Sequence, residues 1–202
     1  MKKFGGYDEA KKAAQSTGIG KLPAGGYVCK ILGVKYEDGK DGNSDRIAVQ
    51  FDIVEGEHEG FFQKQYEANT AEDKKYKGMT RIYVPTDDGS ERDSWTKKSF
   101  AGWTNSFEAS NKGYAWDWDE KKWKGKLVGI VFGDTGTVIE GKEIVYTEAR
   151  FAVPVDQIRD DRYARAKFKA KNGYTGNGGS SSASSDNGFM TIPEGAEEEL
   201  PF

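Results

Sequence analysis

The chain has few of the residues on which catalysis and metal binding depend. Its 202 residues include one histidine and one cysteine, too few for a zinc site of known spacing or for a disulfide within the chain. His58 lies in the acidic sequence EGEHEG, where we expect a solvated turn residue rather than a general base. Cys29 lies in an apolar run and is expected to be a small buried side chain. We therefore predict a protein that is not an enzyme and that holds no metal or cofactor.

Long apolar runs are also missing from the sequence. No stretch approaches the roughly 18 apolar residues that a membrane-spanning helix requires. The start, MKKFGGYDEAKK, lacks the apolar centre of a secretion signal, and a single cysteine fits a reducing compartment. We therefore predict a cytoplasmic protein that does not bind a membrane.

Positive charge is absent from the end of the sequence. Residues 172–202 contain no lysine or arginine and five acidic residues, whereas the whole chain has 30 basic and 33 acidic residues. Residues 1–171 therefore carry 30 basic and 28 acidic side chains, a net charge of +2. An acidic end on a nearly neutral body is typical of an interaction tail. Any affinity of the body for nucleic acid must come from local basic patches.

Hydrophobic periodicity predicts mainly β structure, with one central helix. Gly33, inside the first predicted strand, indicates a bulge or a sharp bend. In the second strand Ile47, Val49, Phe51 and Ile53 alternate toward one face. Residues 155–171 fit either a charged helix or a fraying extension. Strands are predicted over residues 27–37, 46–56, 60–68 (with 81–84 as an extension), 126–133 and 142–155, and helices over residues 8–16 and 96–111.

A long bent first strand and a helix between the third and fourth strands are typical of an OB-fold, a five-stranded, partly open Greek-key barrel. A small β-sandwich with an inserted helix is the alternative. We predict an OB-fold barrel with one inserted helix, whose stripe of Phe100, Trp103 and Phe107 lies in the core. A short N-terminal helix and a disordered C-terminal tail complete the fold. The predicted segments are an N-terminal helix or arm (1–25), the barrel domain (26–171), a Gly/Ser-rich flexible linker (172–194) and an acidic tip (195–202).

Aromatic and basic residues alternate along several predicted strands. Single-stranded DNA is bound by aromatic rings on which bases stack and by cations that follow the phosphates, and OB-folds bind it on the outer face of their second and third strands. Alternation leaves open whether Phe61 or Phe62 faces this groove. The role of the Trp-rich segment 114–124 is left open. For its alternating residues 114–118 we favour a structural hairpin over a part of the groove, because Asp117 and Asp119 would repel phosphate. The predicted DNA-binding residues are Lys30, Lys35, Arg46, Gln50, Phe62, Lys64, Tyr66, Arg81, Tyr83 and Trp95.

The sequence closes with a glycine- and serine-rich stretch and then EEELPF. This ending resembles the C-terminal tip of bacterial single-stranded DNA-binding proteins, which consist of an OB-fold, a flexible linker and an acidic patch before a final Pro-Phe. Glutamates stand where that family more often has aspartates. The resemblance implies docking on replication, recombination and repair proteins, and we expect the tip to compete weakly with DNA for the body. The implied docking residues are Glu197, Glu198, Glu199, Leu200, Pro201 and Phe202.

The body is similar to a family of phage-encoded proteins from recombination and replication gene clusters, through LPAGGYVCKILGV, IVEGEHEGFF and KYKGM. This implies a phage single-stranded DNA-binding protein in the bacterial host cytoplasm. A single-strand-annealing recombinase is one candidate partner, and a homo-oligomer is left open. Two alternatives remain: a recombination accessory or adaptor that binds DNA weakly, and an aromatic-rich β-barrel that binds a glycan or a protein.

Overall fold

The computed structural model describes residue 5, residues 20–39 and residues 44–176. The predicted helix over residues 8–16 and the acidic tip lie outside these residues, and so does most of the predicted linker. None of the helices in the described ranges is long and apolar enough to cross a membrane. The elements are β1 (Gly25–Glu37), β2 (Arg46–Ile53), α1 (Phe61–Ala68), β3 (Met79–Tyr83), α2 (Glu91–Ser110), a 3-10 helix (Glu120–Trp123), β4 (Leu127–Ile139), β5 (Lys142–Val153), α3 (Val155–Arg159) and β6 (Lys169–Ala170).

The strands form one sheet in the order β3-β2-β1-β4-β5, and β6 pairs with β4. The β4–β6 pair is parallel and the other pairs are antiparallel. The prediction of a mainly β fold is confirmed, as is a helix, α2, between the third and fourth strands. The sheet is open in the part of the chain that the structure describes, so a closed barrel is not seen there.

The first strand bends where the sequence predicts it. β1 pairs with β4 through residues 25–30 and with β2 through residues 29–37. The register with β2 shifts between Ile31 and Gly33, which is the mark of a β-bulge. β1 thus joins β2 to β4, and its bulge lies just beyond residues 29 and 30, which pair with both strands.

The core lies on the inner face of the sheet, under α2. Ile47, Val49, Phe51 and Ile53 of β2 are all buried there, as their alternation predicts. The α2 stripe of Phe100, Trp103 and Phe107 is buried as well, which confirms that prediction. The Phe107 ring stacks on Trp123 of the 3-10 helix with centroids 4.6 Å apart. These rings cover the inner face of the sheet and complete the core.

The segment over residues 60–68 is a helix, α1, and the prediction of a strand there is wrong. Phe61 and Phe62 do not point in opposite directions, because both are buried, with 8% and 7% of their surface exposed. The Phe62 ring contacts Phe51 with centroids 5.5 Å apart, in an edge-to-face arrangement. The two phenylalanines therefore anchor the first turn of α1 to the core.

A residue of the sheet stabilises the start of α1. The helix has no side-chain cap of its own, and Gly60 before it has the left-handed φ of 68°. The carboxylate of Asp52 instead accepts hydrogen bonds from the backbone N–H groups of Phe62 (3.0 Å) and Gln63 (2.9 Å). A helix whose cap comes from a strand lacks the local start signal that sequence reading relies on.

The chain after β5 returns across the sheet as the C-terminal strap (residues 154–176). It begins with the short helix α3 and ends near the two-residue strand β6, so of residues 155–171 only Val155–Arg159 are helical. The Tyr163 hydroxyl accepts a hydrogen bond from Gly26 N at 2.7 Å. At Gly129 an added Cβ would lie 2.6 Å from the Ile158 side chain. The strap thus covers the outer face where β1 and β4 pair.

Contacts of the strap continue into the first residues of the predicted linker. The backbone N–H and the hydroxyl of Thr175 both donate to Glu143 Oε1 at 2.7 Å. The Tyr174 ring lies against Gly136, where an added Cβ would be 2.6 Å from it.

The Trp-rich segment contains no strand, so the predicted hairpin over residues 114–118 is wrong. Its loop packs Trp116 onto Trp123 with ring centroids 5.0 Å apart, while Trp118 is 80% exposed. The neighbouring carboxylates of Asp117 and Asp119 both face the Lys122 amine. Trp116 and Trp123 are therefore structural, whereas Trp118 between them in the sequence faces solvent.

Candidate nucleic-acid interface

Strand register places most of the predicted binding residues on one surface. Because alternate residues of a strand share a face, the residues beside the buried set of β2 point outward together with their partners in β1 and β3. We call this surface the open face. Its residues, one cross-strand row after another, are Glu37, Arg46 and Tyr83; Lys35, Ala48 and Arg81; Gly33, Gln50 and Met79; and Lys30 and Asp52. Six of the ten predicted residues therefore come together: Lys30, Lys35, Arg46, Gln50, Arg81 and Tyr83.

The open face is accessible to solvent. The C-terminal strap crosses a different part of the outer surface and leaves the open face uncovered. Lys30, Lys35 and Arg81 are exposed, and Arg46 is partly so. Met79 is 43% exposed at the far end of the same surface. Solvent therefore reaches charged groups contributed by three adjacent strands.

Positive charge dominates this surface. Glu37 forms ion pairs with Arg46 (3.5 Å) and Arg81 (3.0 Å), and its side chain is 24% exposed. The other carboxylate, Asp52, is 7% exposed and is bonded to backbone N–H groups. Four cations thus face one accessible carboxylate. An exposed ion pair contributes only about 0–1 kcal/mol, so a phosphate can take the place of Glu37 beside the two arginines at little cost.

Four predicted residues lie elsewhere, and α1 accounts for three of them. Phe62 belongs to the core. The Lys64 amine donates to Glu59 O at 2.7 Å and borders a small cavity with Glu57. The Tyr66 ring contacts the segment that follows α1: the Lys74 amine lies 4.6 Å and the Tyr76 ring centroid 6.0 Å from its own centroid. A helix in place of a strand removes the shared face on which this part of the prediction depended.

Trp95, the fourth, lies in the first part of α2 and is 42% exposed. It lines a groove of about 730 Å³ between α2, β5 and the C-terminal strap, which we call the Trp95–Phe168 groove. Phe168 of the strap is 53% exposed. The groove is lined by Trp95, Lys98, Ser99, Gly102, Arg150, Phe151, Ala152, Ala166, Lys167, Phe168 and Lys169.

Sequence reading missed the strap side of this groove. The run ARAKFKA over residues 164–170 alternates basic and apolar residues, and this pattern was a usable signal. Its position beside Trp95 depends on how the strap crosses the sheet, which no local pattern specifies.

Comparison of the chain with protein-family models and with curated proteins finds no match.

The remaining reactive groups have structural surroundings. Cys29 is fully buried, as predicted, and burial together with the nearby charge of Asp52 raises the pKa of its thiol. His58 lies in the predicted turn, but it is half-buried, with its ring edge-to-face with Tyr27 (5.6 Å) and Phe61 (6.2 Å). Within the described ranges, no group of three or more His, Cys, Asp or Glu side chains could hold a metal ion.

Proposed function

We propose that this protein binds single-stranded DNA without strong sequence preference and performs no catalysis. The observation that carries the proposal is the convergence of four cations, from three adjacent strands, on the part of the outer sheet surface that the strap leaves uncovered. Cations that follow one another over neighbouring cross-strand rows suit a phosphate backbone, which has one charge at each nucleotide.

We further propose that the fold is a partly open OB-fold. The bent β1 shared by two parts of the sheet, the strand order β3-β2-β1-β4-β5 and the helix between β3 and β4 support this assignment. The open face would then occupy the position at which OB-folds bind oligonucleotides.

Bound DNA would contact the open face through its phosphates and, at one end, through a base. Lys35 and Arg81 flank Ala48 on neighbouring strands, and Arg46 stands in the next row beside Tyr83. A phosphate that approaches the arginines meets donors that Glu37 already orients. Tyr83 offers a ring on which a base can stack, and stacking accepts any base.

The acidic end would give the bound protein a means of recruitment. By its resemblance to the bacterial tip, we propose that Glu197–Phe202 docks replication and recombination proteins of a phage, with a single-strand-annealing recombinase as one candidate. A terminal Pro-Phe after three carboxylates suits an apolar pocket rimmed by basic residues.

Binding of fluorescent oligo(dT), followed by anisotropy at several salt concentrations, tests the proposal. We expect log affinity to fall linearly with log salt, with a slope of about −0.7 for each phosphate neutralised. Replacing both Lys35 and Arg81 with alanine should weaken binding and make the slope shallower by about 0.7 for each phosphate contact removed. Lys64→Ala is the control, because the Lys64 amine is not part of the open face but donates to Glu59 O and borders the small cavity with Glu57.

Three results would count against the proposal. Equal affinity for double-stranded competitor DNA would remove the preference for single strands. Wild-type protein that does not bind oligo(dT) at low salt, yet captures recombination proteins through its tip, would favour the adaptor. Binding to a glycan in the absence of oligo(dT) binding would favour the glycan-binding alternative.

A further inference from the structure

We propose that the Trp95–Phe168 groove is a second contact site for single-stranded DNA, in which bases stack on the two rings. The proposal rests on the proposed function, because it extends the DNA path from the open face to a site on α2 and the strap. Nothing in the sequence pattern joins these two elements into one site.

Two aromatic rings of the groove are accessible from solvent. Trp95 is 42% and Phe168 is 53% exposed, and both line the same groove. The small side chains of Ala152 and Ala166 also line the groove. The volume of about 730 Å³ falls inside the range of about 300–1,000 Å³ that is usual for ligand sites. A groove of this size has room for an unpaired base beside either ring.

The charges around the groove specify an anionic ligand. Lys98, Lys167 and Lys169 line it, and no carboxylate does so in the part of the chain that the structure describes. The Lys98 amine lies 5.6 Å from the centroid of the Trp95 ring, which places a cation beside a stacking surface. Rings and lysines together form the two devices that bind single strands.

Trp118 shows that exposure alone is not sufficient. It is 80% exposed, more than either ring of the groove. Its neighbours Asp117 and Asp119 are acidic, however, and Lys122 already faces both of them. A phosphate is repelled there, so Trp118 serves as a matched aromatic control outside the proposed site.

The stacking requirement selects single strands over duplex. In a duplex both faces of each base are already covered by its neighbours, whereas an unpaired base can leave its stack and insert between protein rings. The same lysines would also attract the acidic end of this chain, and that occupant is distinguished by the test below.

Gly102 allows the groove to be filled without removing any of its side chains. It lines the groove from α2, and an added Cβ at this position meets no atom within 4 Å. Gly102→Leu therefore places a bulky side chain in the groove. Because leucine has a higher helix propensity than glycine, the substitution should also strengthen α2. Ala101→Leu is the control. Ala101 is the exposed residue directly before Gly102 in α2, and it does not line the groove.

The experiment measures the affinity for oligo(dT) of full-length Trp95→Ala, Phe168→Ala and Gly102→Leu. We expect each to bind about 5- to 150-fold more weakly than wild type, as for the loss of one stacked base. Trp118→Ala and Ala101→Leu should bind as wild type does. Part of the tryptophan fluorescence quenched by oligo(dT) should be lost in Trp95→Ala, and thermal unfolding checks that every variant is folded.

The outcomes separate this proposal from the proposed function. If wild type binds oligo(dT), the Lys35 and Arg81 double variant binds weakly and the groove variants bind normally, the groove proposal is overturned and the open face stands. If the groove variants bind more tightly than wild type, the groove holds the acidic end of the chain instead, which also overturns the proposal. If wild type does not bind oligo(dT), the proposed function fails, and this proposal fails with it.

Discussion

Single residues far apart in the sequence determine where some of the local structure forms. Asp52 belongs to β2, yet its carboxylate accepts from two backbone N–H groups at the start of α1 and from that of Ile53. The first N–H groups of a helix have no partner within the helix. Asp52 supplies that partner from a buried position, and it thereby fixes the helix against the sheet.

Asp52→Ala should lower the free energy of unfolding by about 2–3 kcal/mol, since it leaves buried donors at the start of α1 without acceptors. Urea unfolding followed by circular dichroism measures this change. The exposed Asp156 of α3 is the control, because Asp156→Ala should change stability by less than about 0.5 kcal/mol. A loss at Asp52 no larger than at Asp156 would contradict the assignment of this cap.

Residue patterns were reliable where the partners are close in sequence. The alternation of Ile47 through Ile53 and the spacing of Phe100, Trp103 and Phe107 each depend on one element, and both were confirmed. The strand predicted at Phe62 was wrong because the deciding group, Asp52, lies on a different element. Alternation of apolar residues alone cannot distinguish a short capped helix from a strand.

At the scale of elements, the C-terminal strap is held by a polar network as well as by packing on glycines. The Glu148 carboxylate of β5 accepts from Thr135 of β4 (2.8 Å) and forms ion pairs with Arg150 (2.9 Å) and with Lys171 of the strap (3.2 Å). One side chain thus links three segments of the chain. Its protonation should loosen the strap.

The pH dependence of stability should reveal this link. Burial acts to raise the pKa of Glu148, but the hydrogen bonds from Thr135 and Lys171 and the positive charges nearby outweigh it and hold the pKa below its usual value of 4.5. Because the folded pKa lies below the unfolded one, the carboxylate stabilises the fold above about pH 4.5, and this contribution is lost as the pH falls through the folded pKa.

Glu148→Gln should therefore be less stable than wild type at pH 7, and the difference should shrink as the pH is lowered through the range below 4.5. Thermal unfolding across pH 3–7 measures it. Glu140→Gln, at the exposed turn between β4 and β5, should follow the wild-type curve. A difference at Glu148 that does not change with pH would show that the carboxylate's charge plays no part.

The course of the strap could not be read from its own sequence. Residues 155–171 have no clear apolar period, because the strap contacts the sheet through single side chains such as Ile158 and Tyr163. Their partners are glycines at positions 26 and 129. A glycine that leaves room for a distant side chain has the same local appearance as a glycine in a turn.

At the scale of the whole molecule, the sequence predicted the open face but missed the Trp95–Phe168 groove. Strand alternation carries information on the first surface and none on the second. The open face follows from register, since alternation specifies which side chains share a face once neighbouring strands are paired. The Trp95–Phe168 groove depends instead on where a helix and the strap meet over β5. Strand patterns carry no information on that meeting, so Trp95 and the alternating run over residues 164–170 could each be noticed in the sequence but not joined into one site.

The uneven charge of the chain gives the last prediction. Residues 1–171 have a net charge of +2 and residues 172–202 one of −5, so the acidic end is attracted to the same cations as DNA. If the tip binds its own body with a dissociation constant of about 1 mM at an effective concentration of about 1 mM, half of the sites are occupied and DNA binding weakens about twofold.

Deleting residues 197–202 should therefore tighten oligo(dT) binding about twofold at low salt, and the gain should disappear as salt screens the attraction. Anisotropy titrations of the full-length and shortened proteins at two salt concentrations measure this. Replacing Glu197, Glu198 and Glu199 with glutamine should reproduce the deletion, whereas Leu200→Ser, which keeps every charge, should bind DNA nearly as wild type does. Equal affinities for all four proteins would contradict the prediction, because they would show that the acidic end does not compete with DNA for the body.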